Sequence, residues 1–154
     1  MATEDLLKTS TGLVFNDKNQ ILMVKHKKFD KWVMPGGKIE IGESPCVAVE
    51  REVLEETGLN VRILPLNNHF PTLGEGVFEL PRPFCIWKFK WPAGDQLDFV
   101  YLCRVIDGQL TADETEVTDI GWFSAEEIKY MDSFDNVKMT IDRFLENRDT
   151  ILNY

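Results

Sequence analysis

The chain has 154 residues, 44% of them apolar and 28% charged, which suits one globular domain with a buried core. Seventeen basic residues against 26 acidic ones leave a formal charge of −9, which argues against a nucleic-acid polymer or an anionic membrane as partner, since both need a basic surface. Cys46, Cys85 and Cys103 make neither a disulfide framework nor a CxxC pair and point to reduced thiols in a cytoplasmic protein, while no apolar run has the length of a signal-peptide core or a membrane span.

Thr11–Phe15 and Ile21–Lys25 are rich in β-branched and aliphatic residues, and Asn16-Asp17-Lys18-Asn19-Gln20 between them predicts a hairpin. Trp32-Val33-Met34 runs into the strong break Pro35-Gly36-Gly37. Ser44-Pro45 opens a helix, because serine caps well and proline suits the first helical position; Gly58 is placed to end it after Thr57. Leu59–Leu66 reads as a strand, and Asn67–Pro83 as a long proline- and glycine-bearing loop with a short strand near Val77-Phe78. Phe84–Trp91 and Leu97–Val105 are two further strands joined by Pro92-Ala93-Gly94-Asp95, and Gly121-Trp122-Phe123 is a short one. Ser124-Ala125-Glu126-Glu127 has capping-box spacing, and Val137, Ile141, Phe144 and Leu145 recur at helical spacing in a last helix over Val137–Leu152. These elements predict a layered α/β domain with a mixed β-sheet, a single domain over residues 1–154.

The chemistry lies between Gly37 and Leu59. On the helix expected there, Glu52, Glu55 and Glu56 are related by i, i+3 and i+4 and share one face. Like charges at that spacing repel, and in the last turn the helix macrodipole disfavours anions. Folding asks for no such arrangement, whereas a bound hard cation resolves it, since Mg²⁺ takes carboxylate, water and phosphate oxygens. An acidic solvent-facing stripe, with an Arg51–Glu55 ion pair, is the plain alternative at this point. Cys46, Val49 and Val53 lie to one side of the carboxylates, so the apolar arc is broadly opposite the acidic one.

Gly37, Glu43, Arg51, Glu52, Val53, Glu55, Glu56, Gly58 and Leu59 match every specified position of the Nudix box, and Trp32-Val33-Met34-Pro35-Gly36-Gly37 is similar to the family's usual lead-in. The chain thus resembles the Nudix hydrolase family. The resemblance implies a Nudix-type α/β/α sandwich and hydrolysis of a diphosphate linkage in a nucleoside diphosphate derivative with Mg²⁺ or Mn²⁺. Residue by residue, it implies Glu52, Glu55 and Glu56 as metal carboxylates and the Gly36 carbonyl as a further ligand. It implies Arg51 as the residue that orients a neighbouring glutamate, with Glu43 behind it. The candidate for the base that accepts the water's proton is Glu52, with Glu116 as second choice; surface charge is the alternative for Glu114 and Glu116.

For substrate binding the expectations are Lys38 towards a phosphate, Trp32 as a stacking ring and Phe78 as a base-recognition aromatic, beside Phe70 and Phe84. Each has a structural reading too: Trp32 packing on the turn, the phenylalanines in the core. His26 and His69 read as surface or loop residues, and Cys46 as a small buried hydrophobe. Gly37-Lys38-Ile39-Glu40 resembles the form found in members that remove oxidised dGTP. This favours a nucleoside triphosphate, oxidised or not, giving nucleoside monophosphate and pyrophosphate. ADP-ribose or a sugar nucleotide is the alternative substrate, and a non-catalytic nucleotide-binding sensor the alternative from another class. An isoprenyl-diphosphate isomerase, which shares the fold, needs cysteine and glutamate chemistry placed differently. The family also offers a homodimer as an assembly.

Overall fold

A computed structural model describes residues 6–66 and 70–152. Strand β1 (Leu7–Val14) runs parallel to β7 (Gly94–Gly108), in register from Leu7↔Gln96 to Val14↔Cys103. The other edge of β1 takes β4 (Gly36–Lys38), while the free edge of β7 takes β6 (Cys85–Trp91) at one end and β5 (Leu59–Ile63) at the other, all antiparallel. A separate antiparallel sheet has the order β3 (Lys31–Val33), β2 (Ile21–His26), β8 (Val117–Phe123). The helices are α1 (Pro45–Thr57), α2 (Ala125–Lys129), α3 (Asp135–Glu146) and α4 (Arg148–Leu152). None is long and apolar enough to cross a membrane.

The strands at the centre are covered on both faces, so their apolar residues run on without alternating. Leu13, Phe15, Val100 and Leu102 join α2 and α3 through Ile128, Val137, Ile141 and Phe144. The residues between them, Val14, Tyr101 and Cys103, join α1 through Cys46, Val49 and Val53. Helix layers thus pack on opposite sides of the central strands, the α/β/α order expected. Cys46 sits in that second cluster as a small buried hydrophobe.

Local signals place several ends well. Ser44 caps α1 by accepting from the Val47 N–H, and Gly58 ends it at φ 75°, a left-handed conformation that a side chain strains, with its N–H on the Leu54 carbonyl. The Ser124–Glu127 capping box forms in both directions.

Other expectations change. The turn Asn16–Gln20 closes, with Phe15 bridging Ile21, but β1 and β2 then enter different sheets. A strand has two edges, and β4 and β7 occupy both edges of β1, so β2 pairs with β3 and β8 instead. Both glycines of the Pro-Gly-Gly break belong to a strand, β4. Val77-Phe78 is not a strand. The last helix divides at Asn147, whose side-chain amide donates to the Arg143 carbonyl and competes with the helical ladder.

Candidate active site

Helix α1 buries two of its glutamates. Glu52 is 9% exposed and Glu56 1%, one turn apart and facing β4 rather than solvent. Their room comes from Gly37, where a Cβ would stand 2.5 Å from the Glu52 carboxyl carbon. Glu55 does not join them: its side chain is 55% exposed and lies outside the cleft, held by Arg51 Nη1 at 3.1 Å. The three carboxylates expected on one face therefore split into an inward pair and an outward one.

Arg51 ties this region together. Its Nε and Nη2 donate to the two Glu43 oxygens at 2.7 and 2.9 Å. Nη1 donates to Glu52 Oε1 at 3.0 Å as well as to Glu55, and Nη2 to the Lys38 carbonyl at 3.0 Å. The bidentate Glu43 contact fixes the fork, and the fork then orients Glu52. Glu43 holds the guanidinium firmly charged, and Arg51 in return holds the Glu43 carboxyl below its ordinary range.

Glu116 approaches from the far side. Its loop is tied to the end of α1 by the Asp113 N–H on the Glu56 carbonyl, and to β2 by the Lys27 N–H on the Glu116 carbonyl at 2.9 Å. Ligand atoms of Glu56, Glu116 and His26 lie within 4.8 Å of one another. His26 is thus half-buried beside carboxylates, not the surface residue its isolation in sequence implies; His69 lies outside the described residues.

The electrostatics are those of a site short of positive charge. Burial first, then the charges of Glu52 and Glu116, push the Glu56 carboxyl up to about 9. Burial likewise raises Glu52, against the hydrogen bond and charge of Arg51. Glu56 Oε2 is buried with no hydrogen-bond partner. A buried, unpartnered carboxylate oxygen among further acidic groups costs free energy that a cation removes. The carboxylate oxygens suit a hard cation such as Mg²⁺ or Mn²⁺.

A cleft of about 410 Å³ runs from Glu52, Glu56 and Glu116 along β4, past Gly36 and Lys38, to an aromatic wall. Two residues expected at the substrate lie away from this cleft. Trp32 does not line the cleft; it packs edge-on against Phe123, ring centroids 5.0 Å apart. Phe78 is exposed and also outside the cleft, as is Phe70, while Phe84 packs on Phe144. The wall comes instead from Trp87, Phe89 and Trp91 of β6, with Phe134 before α3. Their signal was the alternation Trp87-Lys88-Phe89-Lys90-Trp91, which puts the rings on one face of a strand and the lysines on the other. Asp98 and Gln96 of β7 also line the cleft, and nothing local in the sequence marks them.

A family model described as NUDIX domain matches residues 7–143. A Bacillus subtilis (strain 168) protein named "Putative 8-oxo-dGTP diphosphatase" is 34% identical over 112 residues, 73% of this chain and 62% of that protein. An RNA pyrophosphohydrolase of Blochmanniella floridana is 34% identical over 94 residues, 58% of this chain and 56% of that protein. The chain thus spans about three fifths of the length of these curated relatives. Among solved structures, a UDP-X diphosphatase superposes with a TM-score of 0.72 at 21% identity, over 97% of this chain and 66% of the other.

Proposed function

The chain belongs to the Nudix family, and from that premise we propose that it hydrolyses a diphosphate linkage in a nucleoside diphosphate derivative with the help of a divalent cation. The substrate we favour is a nucleoside triphosphate, with an oxidised purine among the candidates, cleaved to nucleoside monophosphate and pyrophosphate. The observation that carries the reading is the buried, unpartnered Glu56 Oε2 among Glu52, Glu116 and His26, at the end of a cleft with room for a nucleotide. The name of the Bacillus subtilis relative supports the choice of substrate. One domain over residues 1–154 is part of the same proposal.

Glu52, Glu56 and Glu116 would hold Mg²⁺ or Mn²⁺, with His26 and the Gly36 carbonyl beside them, while Glu55 acts through Arg51 from outside. Such a cation neutralises the charge that builds on a diphosphate as it is cleaved and makes water a better nucleophile. The chain's own groups do the rest. Glu52, aimed by Arg51, accepts the water's proton, and Glu116 is the second candidate. Lys38 and Lys28, both on the cleft, face the polyphosphate and offset part of its charge. The aromatic wall accepts the base, so that ring stacking sets the position of the phosphorus relative to Glu52.

The test is incubation with 8-oxo-dGTP, ordinary dNTPs, ADP-ribose, sugar nucleotides and dinucleoside polyphosphates, with Mg²⁺ or Mn²⁺ and with chelator. Metal-dependent release of a nucleoside monophosphate and pyrophosphate from a triphosphate is expected. Turnover of ADP-ribose or a sugar nucleotide alone would move the substrate class. Binding without turnover of any member would make the chain a nucleotide sensor.

A further inference from the structure

The face of the central sheet that forms the core at Leu13 and Leu102 continues past Thr11 and Val100 to become the floor of the cleft. On that floor the strand register sets Lys38, Thr9, Asp98 and Trp87 in one row across β4, β1, β7 and β6. Asp98 is 8% exposed. Among the described residues it makes no ion pair, and it takes its hydrogen bonds from hydroxyls: Thr9 Oγ1 at 2.8 Å to Oδ1, and Thr11 Oγ1 at 2.9 and 3.0 Å to the two oxygens. Behind Thr9 stands an ordered chain of donors, with Trp91 Nε1 donating to Gln96 Oε1 at 2.8 Å and Gln96 Nε2 to Thr9 Oγ1 at 2.9 Å. The donors run in sequence towards the carboxylate, whose Oδ1 is the nearer acceptor for Thr9 Oγ1, the Leu97 carbonyl standing at 3.4 Å.

A carboxylate offers about four acceptor positions, and here two hydroxyl protons use it. Asp98 lines the cleft together with Trp87 and Phe89. Resting on the nucleotide reading above, we infer that Asp98 is the specificity-determining residue for the base, and that it selects a guanine-type edge, where two N–H donors stand side by side. Adenine and cytosine present one donor next to an acceptor, which would face a carboxylate lone pair, and uracil presents a single donor between two acceptors. Guanine's N1–H and 2-amino group meet both Asp98 oxygens. An oxidised guanine keeps both donors, so Asp98 reads the base class and leaves the oxidation to other contacts. Placement agrees: Lys38 lies two strand spacings from Asp98, about 10 Å, the reach of a nucleoside between base and phosphate. Burial also raises the Asp98 carboxyl against the pull of the two threonines, so additional donors relieve a desolvated group.

The experiment compares the triphosphates of guanosine, inosine, xanthosine and adenosine on the full chain, by kcat/KM and by calorimetric affinity for the matching monophosphates with Mg²⁺. Inosine lacks the 2-amino donor and should fall roughly 10- to 100-fold below guanosine in both readouts. This arm needs no variant and no assumption about folding. Asp98→Asn replaces one acceptor by a donor and keeps the shape. It should invert the guanosine-to-xanthosine preference, since xanthine carries an oxygen where guanine carries the amino group. Equal handling of guanosine and inosine, or an Asp98→Asn variant that loses all bases alike, would overturn the inference while leaving diphosphate hydrolysis standing. Absence of turnover with guanosine still tighter than inosine would do the reverse.

Discussion

The two ends of the cleft are built in opposite ways. The acidic end comes mostly from one stretch of chain: Arg51, Glu52 and Glu56 sit on a single helix, and Glu43 reaches them from the loop before it. The aromatic end is collected from β1, β6, β7 and the start of α3, and its row Thr9–Asp98–Trp87 joins residues far apart in sequence. Under the proposed function, the difference follows from what each end would do. A cation needs several oxygens converging on a point, which adjacent turns of one helix supply. A base needs a flat wall and an edge to read, and neighbouring strands supply those by laying alternate residues side by side. The acidic end is therefore expected to govern rate, and the aromatic end to govern which nucleotide is held.

Glu56→Gln should break the acidic end with the largest effect. Loss of a buried charged group at the reacting centre should lower kcat by about 10²–10³-fold, measured with saturating Mg²⁺, while the fold survives. The same residue sets a pH dependence in the metal-free chain. The folded carboxyl titrates near 9 against an ordinary 4.5, so the folded state binds the proton more tightly than the unfolded one. Its contribution to stability is complete below the ordinary value and is lost as pH rises towards 9. The unfolding temperature of chelator-treated protein should fall across that window, and Mg²⁺ should restore most at its alkaline end. A flat profile, or one that Glu56→Gln leaves unchanged, would separate Glu56 from the cation.

Phe89→Ala should sharpen the contrast. Phe89 stacks on Trp91, ring centroids 5.4 Å apart, and lines the aromatic wall. Loss of a stacking ring costs about 1–3 kcal/mol per base, so KM should rise roughly 5- to 160-fold with kcat nearly constant. An equal loss in kcat would show that base position and chemistry are not divided between the two ends.

Ser44→Ala touches neither end. It removes the cap at the start of α1 and should cost about 1 kcal/mol of stability, visible as a lower unfolding temperature with unchanged kcat. A drop in kcat of the size seen for a catalytic residue would mean that α1 must be rigid along its whole length for Glu52 and Glu56 to work.

What was legible in the sequence was whatever is decided locally. Ser44 and Gly58 bound α1, the Ser124–Glu127 box starts α2, and the i, i+4 spacing puts Glu52 and Glu56 together, because caps and helical spacing involve atoms a few residues apart. Tertiary structure decided the rest. It separated Glu55 from Glu56, since the same helix face meets β4 at one position and solvent at the other. It sent β1 and β2 to different sheets, because strand edges are claimed by whichever partner the whole chain delivers. It lined the cleft with Trp87, Phe89 and Asp98 rather than with Trp32 and Phe78, and brought His26 to the acidic end. Alternation along β6 shows that one face is aromatic, but only pairing with β7 shows what that face stands beside. The charge of −9 with which the sequence begins belongs to both accounts: the sequence counts the carboxylates, and the fold buries a few of them against one another.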